Sequence, residues 1–421
     1  MRLSEKSTSH DCKACITRSH NEDCARRWGI TIDDGWDQLN RSFMFGLLVV
    51  MGTTVTVRQY TGSVISCDGF KKFGSTFAEG YCWSIGLHTL EVAYNLPAAF
   101  APYPGIFPEE LSHCLVGARK AGQSEDLING TRLKCPDPDQ LLSPTRISHL
   151  WYQWVPFYFW LAAAAFFMPY LLYKNFGIGD IKPLVRFLHN PVESDQELKK
   201  MTDKAATWLF YKFDLYMSEQ SLLASLTNKH GLGLSVVFVK ILYAAVSFGC
   251  FLLTADMFSI GDFKTYGSEW INKLKLEDNL ATEEKDKLFP KMVACEVKRW
   301  GASGIEEEQG MCVLAPNVIN QYLFLILWFC LVFVMFCNIV SIFASLIKLL
   351  FTYGSYRRLL STAFLRDDSA IKHMYFNVGS SGRLILHVLA NNTAPRVFED
   401  ILLTLAPKLI QRKLRGNGKA L

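Results

Sequence analysis

From Tyr322 to Ile347 the chain carries no charged side chain. An α-helix rises about 1.5 Å per residue, so this run can cross the roughly 30 Å hydrocarbon core of a bilayer. A soluble domain of ordinary size has little room for a long helix that is apolar on every face. Two further runs read the same way: Leu150–Tyr173, and Leu232–Met257 with Lys240 inside it and Asp256 near its end. A fourth, Phe43–Val57, is only 15 residues long, roughly 22 Å of helix. The chain is long enough for two or three soluble domains, but half of its residues are apolar and they are bunched into these runs. The expected fold is an all-α polytopic membrane protein with four transmembrane helices. Its segments are 1–42, transmembrane helix 1 at 43–61, a loop at 62–149, helix 2 at 150–173, and a loop at 174–231. Helix 3 follows at 232–257, a loop at 258–321, helix 4 at 322–350, and a C-terminal region at 351–421.

The short first span is part-polar. Ser42, Gly46, Val49, Thr53, Thr56 and Tyr60 recur every three or four residues and so share one helix face. Two readings stay open: a face lining water, or a small-residue face that packs on another helix. The first 42 residues are mostly polar and lack a small-residue cleavage site, so no signal peptide is expected. Four spans put both termini on one side. After Phe351 there are eleven Lys and Arg against four acids, whereas Phe258–Gln321 has eight against eleven and Arg58–His149 eight against nine. Basic residues collect on the cytosolic side, so both termini and the 174–231 loop are expected there. Net charge is only +5, too mild to imply a nucleic-acid partner.

The twelve cysteines sort along the same lines. Cys67, Cys82, Cys114 and Cys135 fall in the first outer loop, and Cys295 and Cys312 in the second. Disulfides persist outside the cell, and six thiols allow three bridges without fixing their connectivity. Cys250, Cys330 and Cys337 lie in spans, where a thiol serves as a small apolar group. Cys12, Cys15, His20 and Cys24 form a C-x2-C-x4-H-x3-C pattern. It is either a tetrahedral ligand set or a chance neighbourhood, and no metal or cofactor is assigned to it. Gly231-Leu-Gly233 and Gly379-Ser-Ser-Gly382 have no strand–loop–helix context and read as turns, not phosphate-binding loops. No enzyme activity is expected, because no convergent set of catalytic groups is visible. Ser194–Tyr216 and Pro395–Ile410 have amphipathic periodicity and read as a helical cytosolic collar. Asn129-Gly130-Thr131 is a glycosylation sequon in the first outer loop; those at Asn40 and Asn391 would face the cytosol.

Particular residues then bring in a family. Tyr152-Gln153-Trp154-Val155-Pro156-Phe157, preceded by Trp151, resembles the innexin signature YYQWVPF. Asp33-Asp34-Gly35-Trp36-Asp37-Gln38-Leu39-Asn40 is similar to the family's DDxxDRLNY. Arg58-Gln59-Tyr60, Tyr81-Cys82-Trp83, Phe289-Pro290-Lys291 and Cys312-Val313-Leu314 resemble further innexin stretches. The likeness runs from about Asp33 to Leu350. It implies disulfides Cys67–Cys312 and Cys82–Cys295, which would staple the two outer loops into a rigid cap. It also implies a closed ring of about eight subunits, alone or mixed with other innexins, around a wide aqueous pore. Such a ring sits in the plasma membrane at a cell junction, surrounded by lipid, and docks with a ring on the neighbouring cell. Passage of ions and small solutes would be passive. An undocked channel of the pannexin kind and a non-conducting adhesion subunit are the alternatives. The chain departs from the family in its polar, cysteine-bearing first 28 residues and in an insert that carries Cys114, Cys135 and Asn129. Pro156 is expected to kink span two, with Trp151, Tyr152 and Trp154 at the membrane interface.

Overall fold

The computed structural model describes residues 34–90, 106, 125–128, 131–134, 146–174, 181–190, 194–217, 229–258, 263–275, 288–301, 304–365 and 368–417. The Cys12/Cys15/His20/Cys24 cluster, Cys114, Cys135 and Asn129 lie outside these residues. Among the described residues, four helices are long and apolar enough to cross a membrane. They are α1 (Gly35–Thr61), the segment Trp151–Leu172 whose α-helical part is α3 (Val155–Leu172), then α6 (Gly231–Met257) and α8 (Ala315–Leu350). The chain divides into two compact units, one of residues 1–41, 167–244 and 336–421, the other of residues 42–166 and 245–335.

The first unit is helical. Its elements are α4 (Ile181–Leu188), α5 (Asp195–Met217), α9 (Thr352–Ala363), α10 (Ser369–Asn377), α11 (Gly379–Asn392) and α12 (Pro395–Asn417), with the adjoining ends of the long helices. On α5, Met201, Ala205, Leu209 and Phe213 are buried at intervals of four; on α12, Phe398, Ile401, Leu402, Leu405 and Leu409 are buried. These two stripes belong to one apolar core, and α5 packs on α12. Burying each large side chain contributes about 1.5–3 kcal/mol. Outside the stripe, Lys408 pairs with Asp203 at 2.8 Å and Arg412 with Asp214 at 3.4 Å. The two Gly-rich stretches are not turns. Gly231 opens α6 and Gly379 opens α11. His230 Nδ1 lies 2.9 Å from Ser380 Oγ, and the Leu232 amide donates to Ser381 Oγ at 3.1 Å. A Cβ on Gly233 would stand 2.6 Å from Ser380 Oγ, and one on Gly379 (φ +70°) would stand 2.7 Å from the Lys229 carbonyl. Glycine is there to let two helix starts touch.

The second unit adds a feature absent from the sequence reading, an antiparallel five-stranded sheet in the order β1-β7-β6-β2-β5. The strands are β1 (Ser66–Asp68), β2 (Leu87–Leu90), β5 (Arg146–Ser148), β6 (Met292–Gly301) and β7 (Gly304–Val313). A separate hairpin pairs β3 (Glu125–Ile128) with β4 (Thr131–Lys134). Strands β1, β2 and β5 are three or four residues long, too short for alternation to stand out. Strands β6 and β7 carry Lys298, Arg299, Glu306, Glu307 and Glu308, which break the apolar pattern. Short helices α2 (Ser75–Tyr81) and α7 (Tyr266–Lys275) complete the unit.

Beside the sheet, Trp151, Phe258, Phe289 and Phe324 form a buried hub, with ring centroids 4.8 Å apart for Trp151–Phe258 and 5.2 Å for Phe258–Phe324. This corrects two expectations. Trp151 and Tyr152 are buried, because rings that can pack on rings gain more than rings left at an interface; only Trp154, 65% exposed, has the character of an interfacial anchor. Pro156 also makes no mid-helix kink. A 3₁₀ turn, Trp151–Trp154, precedes α3 (Val155–Leu172), so Pro156 sits in the first turn, where its missing N–H costs nothing. The interior proline is Pro169.

Candidate functional site

Helix α1 has two faces. Met44, Leu48, Met51 and Val55 are buried. At Gly52, Phe159 and Trp160 of α3 come so near that an added Cβ would lie 3.3 Å from Phe159 Cβ. The polar stripe points elsewhere. Ser42, Thr53 and Tyr60 are exposed, and Gly46, Val49 and Thr56 are half-buried. Thr53 and Thr56 hydroxyls donate to the carbonyls of Val49 (2.8 Å) and Gly52 (2.6 Å), so each is satisfied within the helix. Trp160 Nε1 donates to Thr56 Oγ1 at 3.3 Å, which puts Thr56 at the edge of the packed face.

Two disulfides bind the sheet. Cys67 and Cys312 face each other across β1 and β7, with Cα atoms 4.1 Å apart. Cys82 joins Cys295 on β6 at 5.9 Å. Gly86 is required beside the second bond, since a Cβ there would be 2.9 Å from Cys295 Sγ. Each bond links the 62–149 stretch to the 258–321 stretch, so neither half can move alone. Further ties reinforce them. The Glu308 carboxylate accepts from the amides of Lys71, Lys72 and Phe73 at 2.9–3.3 Å. Glu296 accepts from Arg146 at 2.7 Å and pairs with Lys298 at 3.0 Å. The hydrogen bond from Lys298 and the Arg146 charge hold the Glu296 carboxyl below its usual range against partial burial. His149 shares a 2.6 Å hydrogen bond with Thr89, and burial pushes its imidazole down to about 4.

The signature residues have local work. The Trp83 carbonyl accepts from both Tyr152 Oη (2.7 Å) and Gln153 Nε2 (2.6 Å), and the Trp83 and Tyr152 rings lie 4.4 Å apart. Thus Tyr81-Cys82-Trp83 and the Tyr152–Phe157 run meet at one carbonyl. Val155 is buried and Phe157 exposed. Asn317 Nδ2 donates to the Pro290 carbonyl at 2.8 Å.

Two features escaped sequence reasoning. Lys240 is 2% exposed and bonded to Asp37; its only sequence signal is a charge in an apolar run. The β6–β7 hairpin ends in Trp300 and Ile305, cross-strand partners that are 80% and 58% exposed. Its signal was an isolated aromatic beside Gly301.

Four lipid-length helices and a doubly disulfide-bonded sheet define a polytopic helical membrane protein with a stapled cap. The innexin family model matches residues 33–409, and the chain belongs to the innexin family. It is similar to innexin inx2 of Schistocerca americana, 24% identical over 392 residues that cover 90% of this chain and 94% of that protein. Innexin inx2 of Drosophila melanogaster is 22% identical, covering 90% and 92%, and innexin shaking-B of the same species 23%, covering 88% and 89%. Innexins are channel proteins that assemble as oligomers and form gap-junction channels between cells.

Proposed function

We propose that this chain forms a closed ring of about eight copies, alone or mixed with other innexins, in the plasma membrane. The α1 stripe Ser42, Gly46, Thr53, Thr56 and Tyr60 lines its aqueous pore. Ions and small solutes pass down their gradients, and no reaction is catalysed. Both termini are cytosolic, which agrees with the basic excess after Phe351, and the disulfide-bonded sheet is the outer cap that meets a ring on the neighbouring cell. The observation that carries the reading is the stripe itself: Ser42, Thr53 and Tyr60 are left uncovered by the chain's own helices. In a bilayer, a polar face that packs on nothing is favoured only where it meets water or another subunit.

The deciding experiment compares current in single expressing cells with junctional current between two expressing cells. Junctional current is expected. Current confined to single cells would leave an undocked channel, and none in either, with protein at the surface, would leave an adhesion subunit. Within the same system, Thr53→Cys and Thr56→Cys are expected to bring block by small charged thiol reagents. Insensitivity at both positions, with reaction at Leu48→Cys, would reverse the assignment of faces.

A further inference from the structure

An ammonium group at membrane depth is costly and persists only when paired. Lys240 on α6 donates to both oxygens of Asp37, at 3.0 and 3.2 Å, and to Ser341 Oγ on α8 at 3.0 Å. Asp34 lies 3.6 Å from the same ammonium and 3.2 Å from that of Lys348. Farther along, Asn40 and Asn338 exchange two hydrogen bonds, at 2.7 and 3.2 Å, and Asn338 Nδ2 also reaches the Tyr243 carbonyl at 3.2 Å. The contributing residues step 34, 37, 40 up the start of α1 and 348, 341, 338 back along α8. They form three rungs between two antiparallel helices. Two carboxylates face two ammonium groups, so the set is neutral as a whole.

We infer that this ladder fixes the axial register of α1 against α6 and α8, and so acts as the positioning device of the pore helix. The inference rests on the pore reading of α1. Along α8 nearly every other side chain from Tyr322 to Ile347 is apolar. In lipid, sliding one such helix by a turn of about 5.4 Å exchanges apolar contact for similar apolar contact, and little opposes it. The ladder is different in kind. A one-turn slip leaves Lys240 at most one of the two carboxylates it now meets and parts Asn40 from Asn338, so buried polar groups lose their partners together, which is costly. Polar groups in an apolar interface are best attested in this role, the choice of register. Gly35–Thr61 is one helical run, so a register set at its first turns is carried along its axis. Wide π-type turns at Leu39–Met44 follow the lower rungs at once. Such turns change the angular phase of a helix, and they set the phase between the ladder face and the stripe that follows.

The test uses full-length protein in expressing cells, with current and reactivity expressed per surface copy. Lys240→Met is expected to lower both the current and the modification rate of Thr53→Cys by about tenfold, a small part of what one unpaired buried carboxylate can shift. The exchange Asp37→Lys with Lys240→Asp is expected to restore both. Asn338→Leu removes a rung without stranding a charge; it is expected to reach the surface and to make Val50→Cys or Val57→Cys, which flank the stripe, newly reactive. Should Lys240→Met be retained inside the cell, the exchanged pair and Asn338→Leu decide. Parental current and an unchanged reactivity pattern in Asn338→Leu, or an exchanged pair at the surface that stays impaired, would overturn the ladder. If Thr53→Cys is silent in the parent, the pore assignment fails separately, and loss and rescue of current still judge the ladder.

Discussion

Single side chains carry more of this molecule than its apolar composition implies. Gly267 admits the Trp328 ring so closely that a Cβ there would lie 2.1 Å from it. Gly267→Ala is therefore expected to cost about 1–3 kcal/mol by overpacking, read as a fall in Tm of the detergent-purified protein. Burial pushes His149 down to about 4, and burial with the neighbouring Arg358, Lys348 and Arg383 charges does the same to His387. An unfolded histidine titrates near 6.5, so between about pH 6.5 and 4 the unfolded chain binds protons that the fold refuses. Stability is complete above that window and is lost as pH falls through it, by order of 1–2 kcal/mol per histidine at pH 5. Thermal unfolding from pH 7.5 to 4.5 measures this, and His149→Gln should flatten part of the slope. A slope unchanged in both single variants and in the double His149→Gln/His387→Gln would show that neither ring is held neutral. None of this was legible beforehand. Asp34 and Asp37 stand some two hundred positions from Lys240 in the chain, and neither a histidine's burial nor an ion pair's partner has a local signature.

Elements were legible in proportion to their length. The three long apolar runs and the amphipathic stripes of α5 and α12 follow from periodicity, and their buried residues are the ones that repeat at helical spacing. Helix α1 begins well before its uncharged core because Asp34 and Asp37, polar in isolation, are neutralised by Lys240 and Lys348. The sheet was hidden because its strands are short or charged, and the cysteines were its only advance notice. Two element-scale outcomes follow from these contacts. Replacing Cys82 or Cys295 by Ser is expected to remove about 2–5 kcal/mol, measured as lost surface delivery and a lower Tm. Leu405→Ala, which empties a fully buried site in the α5–α12 core, should cost about 2–5 kcal/mol. An unchanged Tm there would mean that the packed stripe contributes little to holding the helices of the first unit together.

For the assembled channel, the hairpin tip is the informative surface. One strand presents Lys298, Arg299 and Trp300, the other Ile305, Glu306 and Glu307. Lys298 pairs with Glu307 across the strands at 2.8 Å, so charge is met within the hairpin, and the exposed Trp300 and Ile305 are its apolar contact surface. Trp300→Ala is expected to reduce junctional conductance about fivefold or more, as truncating an interface tryptophan commonly costs over 1 kcal/mol, while single-cell current per surface copy stays at the parental level. Equal loss of both would assign Trp300 to the ring and not to docking. The two disulfides have a further consequence, one of timing. Cys67 and Cys312 are 245 residues apart, and Cys82 and Cys295 are 213 apart. A ribosome adding about 5–20 residues per second makes the first thiol of each pair wait roughly ten to fifty seconds for its partner. Throughout that interval Cys67 and Cys82 are both present with only each other, or a thiol of the first loop, to react with. The sheet is thus a late product of synthesis, since β6 and β7 are made only after the third span and just ahead of the last. A nascent chain interrupted anywhere before β7 holds mispairing thiols in place of a cap.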